Sequence, residues 1–156
     1  MIPDYKLYHG AVLAEIVDKF DGAVSFRESI APGRLLNYVV NDEVGLQIKH
    51  SAARLRPWGF SYPKAHIDQL KDLLKVYPST FAVLVCHMDG FVAISASQLI
   101  TSLQAVDSGQ AWLRIDRKRR EMYRVFGPSG EFPTKFRTTC EPIIEALNQH
   151  RQLPSR

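Results

Sequence analysis

Residues 11–20 place Val12, Leu13, Ile16, Val17 and Phe20 on one stripe. That is the i, i+3, i+4 spacing of an amphipathic helix, and Asp21-Gly22 ends it. The period then changes. Val24, Phe26 and Ile30 alternate with Ser25, Arg27 and Ser29, which predicts a strand. Ala31-Pro32-Gly33 is a turn, residues 35–41 form a second strand, and Asn41-Asp42-Glu43 turns the chain into a third strand over 44–50. Residues 51–62 show no clean period. Pro63 suits a first helical turn, and Ile67, Leu70, Leu74 and Tyr77 line one face of the helix that follows.

Residues 80–86 predict a buried strand, carried by the continuous apolar run over 81–86. Asp89-Gly90 signals a hairpin with a return strand over 91–94. Ser95 with Gln98 matches a capping box, followed by a helix lined by Leu99, Ile100 and Leu103. Residues 111–115 and 122–126 predict a further strand pair, Gly127-Pro128-Ser129-Gly130 a turn, and Pro142 the start of a last helix carrying Ile143, Ile144 and Leu147. The predicted order is α-β-β-β-α-β-β-α-β-β-α. Frequent hairpins and an excess of strands predict the α+β class, a mixed β-sheet flanked by helices.

The chain has 156 residues, enough for one domain with a sizeable core. No apolar run approaches the roughly 20 residues of a membrane span. The start of the chain lacks the basic-then-apolar pattern of a signal peptide. Cys86 and Cys140 sit in no CxxC or CxxH spacing, so a disulfide framework and a zinc site are not expected. Together these features predict a reducing, cytoplasmic compartment.

Net charge is +4, which favours polyanionic partners only where it is clustered. It is clustered twice. Residues 114–124, RIDRKRREMYR, hold six basic side chains against two acids, with Arg117, Lys118, Arg119, Arg120 and Arg124 among them. A second group joins Lys49, His50, Arg54 and Arg56, next to Trp58 and Phe60. Guanidinium groups fork onto phosphate and aromatic rings stack on bases, so these positions are candidates for a nucleic-acid interface. The alternative is a pair of solvated faces, with Trp58 tucked over a core edge by the bend at Pro57. A Cys86–His87 dyad is not expected, because adjacent strand residues face opposite ways. No Gly-rich phosphate loop occurs.

Gln47-Ile48-Lys49 lies on the predicted third strand, and side chains two apart share a face. The order helix, three strands, helix, strand over residues 9–87, with this tripeptide, resembles the PD-(D/E)xK, or restriction-endonuclease-like, superfamily, some members of which carry Q-x-K. The resemblance implies a restriction-endonuclease-like core over 9–87, with 88–156 as a β/α extension of the same domain. It implies a metal-dependent endonuclease that hydrolyses phosphodiester bonds with Mg²⁺ or Mn²⁺, acts on DNA more than RNA, and assembles as a homo-oligomer. Lys49 would position or activate water, and Gln47 would help shape the metal site.

The family pattern also has an Asp on the second strand. Positions 34–40, RLLNYVV, contain none, and Asn37 is expected opposite Lys49. The acids that would supply carboxylate are Asp42 at the turn, Glu28 on the apolar side of its strand, and Glu15, which matches the family's optional acid on the first helix. At 100° per residue, Glu15 lies roughly 130° from the centre of the apolar stripe. Two other readings remain open. One is a non-catalytic nucleic-acid-binding module on a degenerate scaffold. The other is a regulator or inhibitor whose basic face meets an acidic protein.

Overall fold

A computed structural model describes residues 1–30, 36–104 and 110–152. Thirteen elements follow one another: α1 (Asp4–Lys19), β1 (Phe26–Ile30), β2 (Leu36–Val40), β3 (Val44–His50), β4 (Trp58–Pro63), α2 (Lys64–Val76), β5 (Ser79–Val85), β6 (Phe91–Ser95), α3 (Ala96–Leu103), β7 (Gln110–Asp116), β8 (Arg124–Gly127), β9 (Gly130–Glu131) and α4 (Glu141–Gln152). The class is α+β with mixed sheets flanked by helices. The turn expected at Ala31-Pro32-Gly33 and the start of the second strand at Leu35 lie outside the described residues.

The first sheet has the order β1-β2-β3-β5-β6. β1, β2 and β3 form an antiparallel meander, β5 runs parallel to β3, and β6 returns antiparallel to β5. A parallel pair needs a long crossover connection, and β4 with α2 supplies it. The second sheet is antiparallel, in the order β4-β7-β8-β9. β4 lies in the stretch where no period was expected. It is nonetheless an alternating strand, with Trp58, Phe60 and Tyr62 buried and Gly59, Ser61 and Pro63 exposed. The interruptions by Gly59 and by the flanking prolines hide the pattern.

Alternation divides the side chains of the first sheet between two cores. Tyr38, Val40, Val44, Leu46, Ile48, Phe81, Val83 and Val85 meet Val12 and Ile16 of α1 and Ile143 and Leu147 of α4. On the other face, Ala82, Leu84, Val92 and Ile94 meet α2, α3 and the apolar side of the second sheet. β3 is therefore covered on both faces along most of its length. The predicted cap of α3 is formed, with Ser95 Oγ accepting from the Gln98 N–H at 3.3 Å. The Asp89-Gly90 hairpin is formed as well, closed by the Cys86 N–H donating to the Gly90 carbonyl at 2.8 Å. Among the described residues, no helix is long and apolar enough to cross a membrane.

Gly45 sets how closely α2 approaches β3. A Cβ there would lie 2.7 Å from Thr80 Oγ1 and 2.8 Å from Leu73 Cγ, inside any normal contact. Both neighbours are buried. Gly45→Ala is predicted to lower unfolding free energy by about 1–3 kcal/mol through overpacking, measured by urea denaturation. An unchanged midpoint would show that α2 has room to move.

Candidate nucleic-acid interface

The Q-x-K strand is the place to build from. Gln47 is 0% exposed, so its amide must be satisfied by protein. Its Nε2 donates to the His66 carbonyl at 2.9 Å, and its Oε1 accepts from the Tyr62 hydroxyl at 3.1 Å. Gln47 thus ties β3 to β4 and to the first turn of α2. This differs from the expected metal-shaping role, because both ends of the amide are engaged inside the protein.

Lys49 lies two residues on, at the end of β3. Its Nζ donates to the Ser61 carbonyl at 2.5 Å, lies 2.6 Å from His66 Nδ1 and sits 4.3 Å from the centre of the Tyr62 ring. Burial penalises the ammonium and pushes its pKa down to about 8. His66 is also held below its ordinary value, by desolvation first and by the Lys49 charge second. When the ammonium donates, His66 Nδ1 is the acceptor and the imidazole is neutral. Lys49, His66, Glu28 and His50 line one cavity of about 820 Å³. His50 stacks on Tyr8, with ring centres 4.8 Å apart.

The three candidate metal-binding acids are not assembled around Lys49. Glu15 lies beside Cys140, just ahead of α4: its backbone carbonyl accepts from Cys140 Sγ at 3.8 Å, and burial first and the Glu15 charge second raise the thiol's pKa. Asp42 sits in the turn before β3 with positive φ, its carboxylate 3.3 Å from Arg27 Nε. Five strand steps separate Val44 from Lys49, roughly 16 Å, so Asp42 belongs to the other end of the sheet. Glu28 pairs with Tyr38 in register, which assigns it to the α1 face, opposite to Lys49, although it reaches the rim of the same cavity.

The expected register is also corrected. Asn37 is opposite Gln47, not Lys49, because Val40 pairs with Val44 across the turn. Asn37 is 2% exposed, and its Oδ1 has no partner among the described residues. Amides therefore stand where the family pattern has carboxylates. Mg²⁺ and Mn²⁺ select carboxylate oxygens, and no group of three or more His, Cys, Asp or Glu that could hold a metal occurs among the described residues. The donor set does not fit the ion.

The two basic segments, by contrast, come together. β4 and β7 pair antiparallel with Trp58 opposite Ile115, so continuing the register sets Arg56 beside Arg117. Arg54, Arg56, Arg117, Lys118, Arg119 and Arg120 all line one cleft of about 550 Å³. Two of these cations are internally paired. Arg56 Nε lies 2.8 Å from Asp116, and Arg117 Nε donates to Asp89 at 2.7 Å while its guanidinium sits 4.2 Å over the Tyr123 ring.

Arg54, Lys118, Arg119 and Arg120 are exposed and make no ion pair among the described residues. A turn closed by the Glu121 N–H on the Lys118 carbonyl, with Arg120 at φ +69°, carries Arg119 and Arg120 at its tip. Trp58 is 3% exposed and packs edge-on against Tyr123, so the core placement holds, yet it also forms part of the cleft wall. Arg124 stands apart. Glu131 binds it bidentately at 2.8 and 2.9 Å in a separate depression.

His66, Ser61 and Tyr62, which fix Lys49 and Gln47, were not singled out from the sequence. The alternation Trp58-x-Phe60-x-Tyr62 was the signal that could have revealed them. Comparison of the chain with protein-family models, with curated proteins and with solved structures gives no match in any of the three. The functional reading therefore rests on the site's own chemistry.

The lowered Lys49 pKa fixes the sign of one pH effect. The native state disfavours the ammonium, so Lys49 lowers stability in full below about pH 8. That cost is relieved as pH rises toward the unfolded lysine's value, because there the unfolded chain binds the extra proton. Wild type is predicted to gain stability relative to Lys49→Met between about pH 8 and 10. Carbon-13 methyl labelling should place the Lys49 midpoint near 8. A midpoint within the ordinary lysine range, about 10.4, would sink the assignment.

Proposed function

We propose that the chain is a nucleic-acid-binding module on a restriction-endonuclease-like scaffold that grips the phosphate backbone without cutting it. One observation carries the reading: segments 54–56 and 117–120, about sixty residues apart, meet in one cleft. Four of its cations lack an acidic partner among the described residues. Unpaired guanidinium groups at a solvent-facing turn suit phosphate. The scaffold reading is supported by the strand order β1-β2-β3-β5-β6, with only β2 and β6 antiparallel to the rest and α2 crossing between the parallel pair. Fold likeness alone does not give activity. The amides at positions 37 and 47 favour the non-cutting reading over the metal-dependent one.

A second reading keeps one observation in its favour. Lys49, with its lowered pKa, and Glu28 share a cavity large enough for a sugar-phosphate unit. Cleavage of supercoiled plasmid in Mg²⁺ or Mn²⁺, abolished by EDTA and by Lys49→Ala, would establish the endonuclease and displace the proposal.

Binding is predicted to be steeply salt-dependent. If the four unpaired cations each contact a phosphate, affinity falls about a hundredfold over a roughly fourfold rise in salt. Arg119→Ala with Arg120→Ala should weaken binding to all sequences alike and reduce the log–log slope by about 2. Fluorescence anisotropy with labelled oligonucleotides reads both. Unchanged affinity in the double variant would remove the backbone grip. Absence of any binding would favour an acidic protein partner.

A further inference from the structure

The same cleft contains groups that phosphate does not need. Leu55 is 79% exposed and Met88 is 85% exposed, and both lie among the cations that line it. Trp58 forms part of its wall, and the buried indole N–H has no acceptor. Asp89 is there too. Its Oδ2 is taken by Arg117 Nε at 2.7 Å and by the Tyr123 hydroxyl at 2.5 Å, while Oδ1 has no partner among the described residues and the carboxylate is one-third exposed. Tyr123 touches both walls, ring-to-edge on Trp58 and through its hydroxyl on Asp89.

A carboxylate repels phosphate, and apolar side chains do nothing for it. Both suit a nucleobase. We infer that the cleft takes an unpaired nucleotide in preference to regular duplex, an inference that rests on the nucleic-acid reading above. The Watson–Crick edge of every base sets a hydrogen-bond donor beside an acceptor. In a duplex that edge is consumed by the opposite strand. In a single strand, a bulge or a flipped nucleotide it is free. The unpartnered Trp58 N–H supplies the complementary donor and the open side of Asp89 the acceptor. Leu55 and Met88 give the base an apolar contact in place of its lost stacking, as wedge side chains do elsewhere. Arg54, Lys118, Arg119 and Arg120 hold the flanking phosphates.

The test is a competition anisotropy series at one ionic strength. It uses an unstructured single-stranded DNA, the fully paired duplex of the same length, and that duplex with one bulged nucleotide. The single strand and the bulge are expected to bind about tenfold more tightly than the paired duplex. Leu55→Gln with Met88→Gln should erase most of that preference and leave duplex affinity unchanged. Both side chains are exposed, so the double variant keeps the fold, checked by its melting temperature. Trp58→Phe keeps an aromatic but smaller side chain and removes the N–H; with the fold checked by melting temperature, it should weaken single-strand binding about fivefold and leave duplex binding unchanged. Equal affinity for single strand and duplex in the wild type would overturn the inference while leaving nucleic-acid binding intact. Binding to none of the three DNAs would remove both.

Discussion

The buried amide of Gln47 organises the surroundings of Lys49. β3 is covered on both faces, so a polar side chain at its middle has to find protein partners or cost free energy. Gln47 takes one partner from Tyr62 and one from the His66 carbonyl. Those contacts fix β4 and the start of α2 against the end of β3. Ser61 and His66 are thereby set within hydrogen-bond reach of Lys49. The lysine's surroundings follow from the glutamine's satisfaction, two residues earlier on the same face.

This arrangement explains why the elements were legible in the sequence while the site was legible only in part. The third strand, Val44–His50, has the predicted bounds, because apolar alternation and the turn at 41–43 are local signals. Period two also set Gln47 and Lys49 on one face, as the register requires. Whether that face was open to a ligand was not a local question. It depended on β4, whose alternation was masked by Gly59 and by prolines at both ends. A two-residue difference in pairing then moved Asn37 from Lys49 to Gln47. Register is set by loop length as well as by pattern, and the loop's three residues fix Val40 against Val44.

The basic clusters show the converse. Their composition was visible, and their convergence was not, because it comes from the β4–β7 pairing, a long-range contact. The same pairing explains why only some of the cations are available. Six cationic side chains in one cleft repel one another. Asp116 and Asp89 offset that repulsion at Arg56 and Arg117, the two nearest the sheet. The cations farther out on the turn and on residue 54 stay in water, where screening makes unpaired charge tolerable. Arg124 falls outside the group because β8 turns it toward Glu131.

Placing Asp89 inside a cationic cleft has a consequence for selectivity. A cleft built for phosphate alone gains nothing from a carboxylate and loses affinity to it. Here the carboxylate is held by Arg117 and Tyr123, so its charge is largely offset while one oxygen faces the cleft. The cation–π contact of Arg117 with Tyr123 locks that pair against the wall that carries Trp58. On the proposed reading, charge on the rim attracts any nucleic acid, and the donor and acceptor inside reward only a base whose pairing edge is free. On that reading, attraction and discrimination fall to different residues of one cleft, the first to the exposed cations of the turn and the second to Leu55, Met88, Trp58 and Asp89.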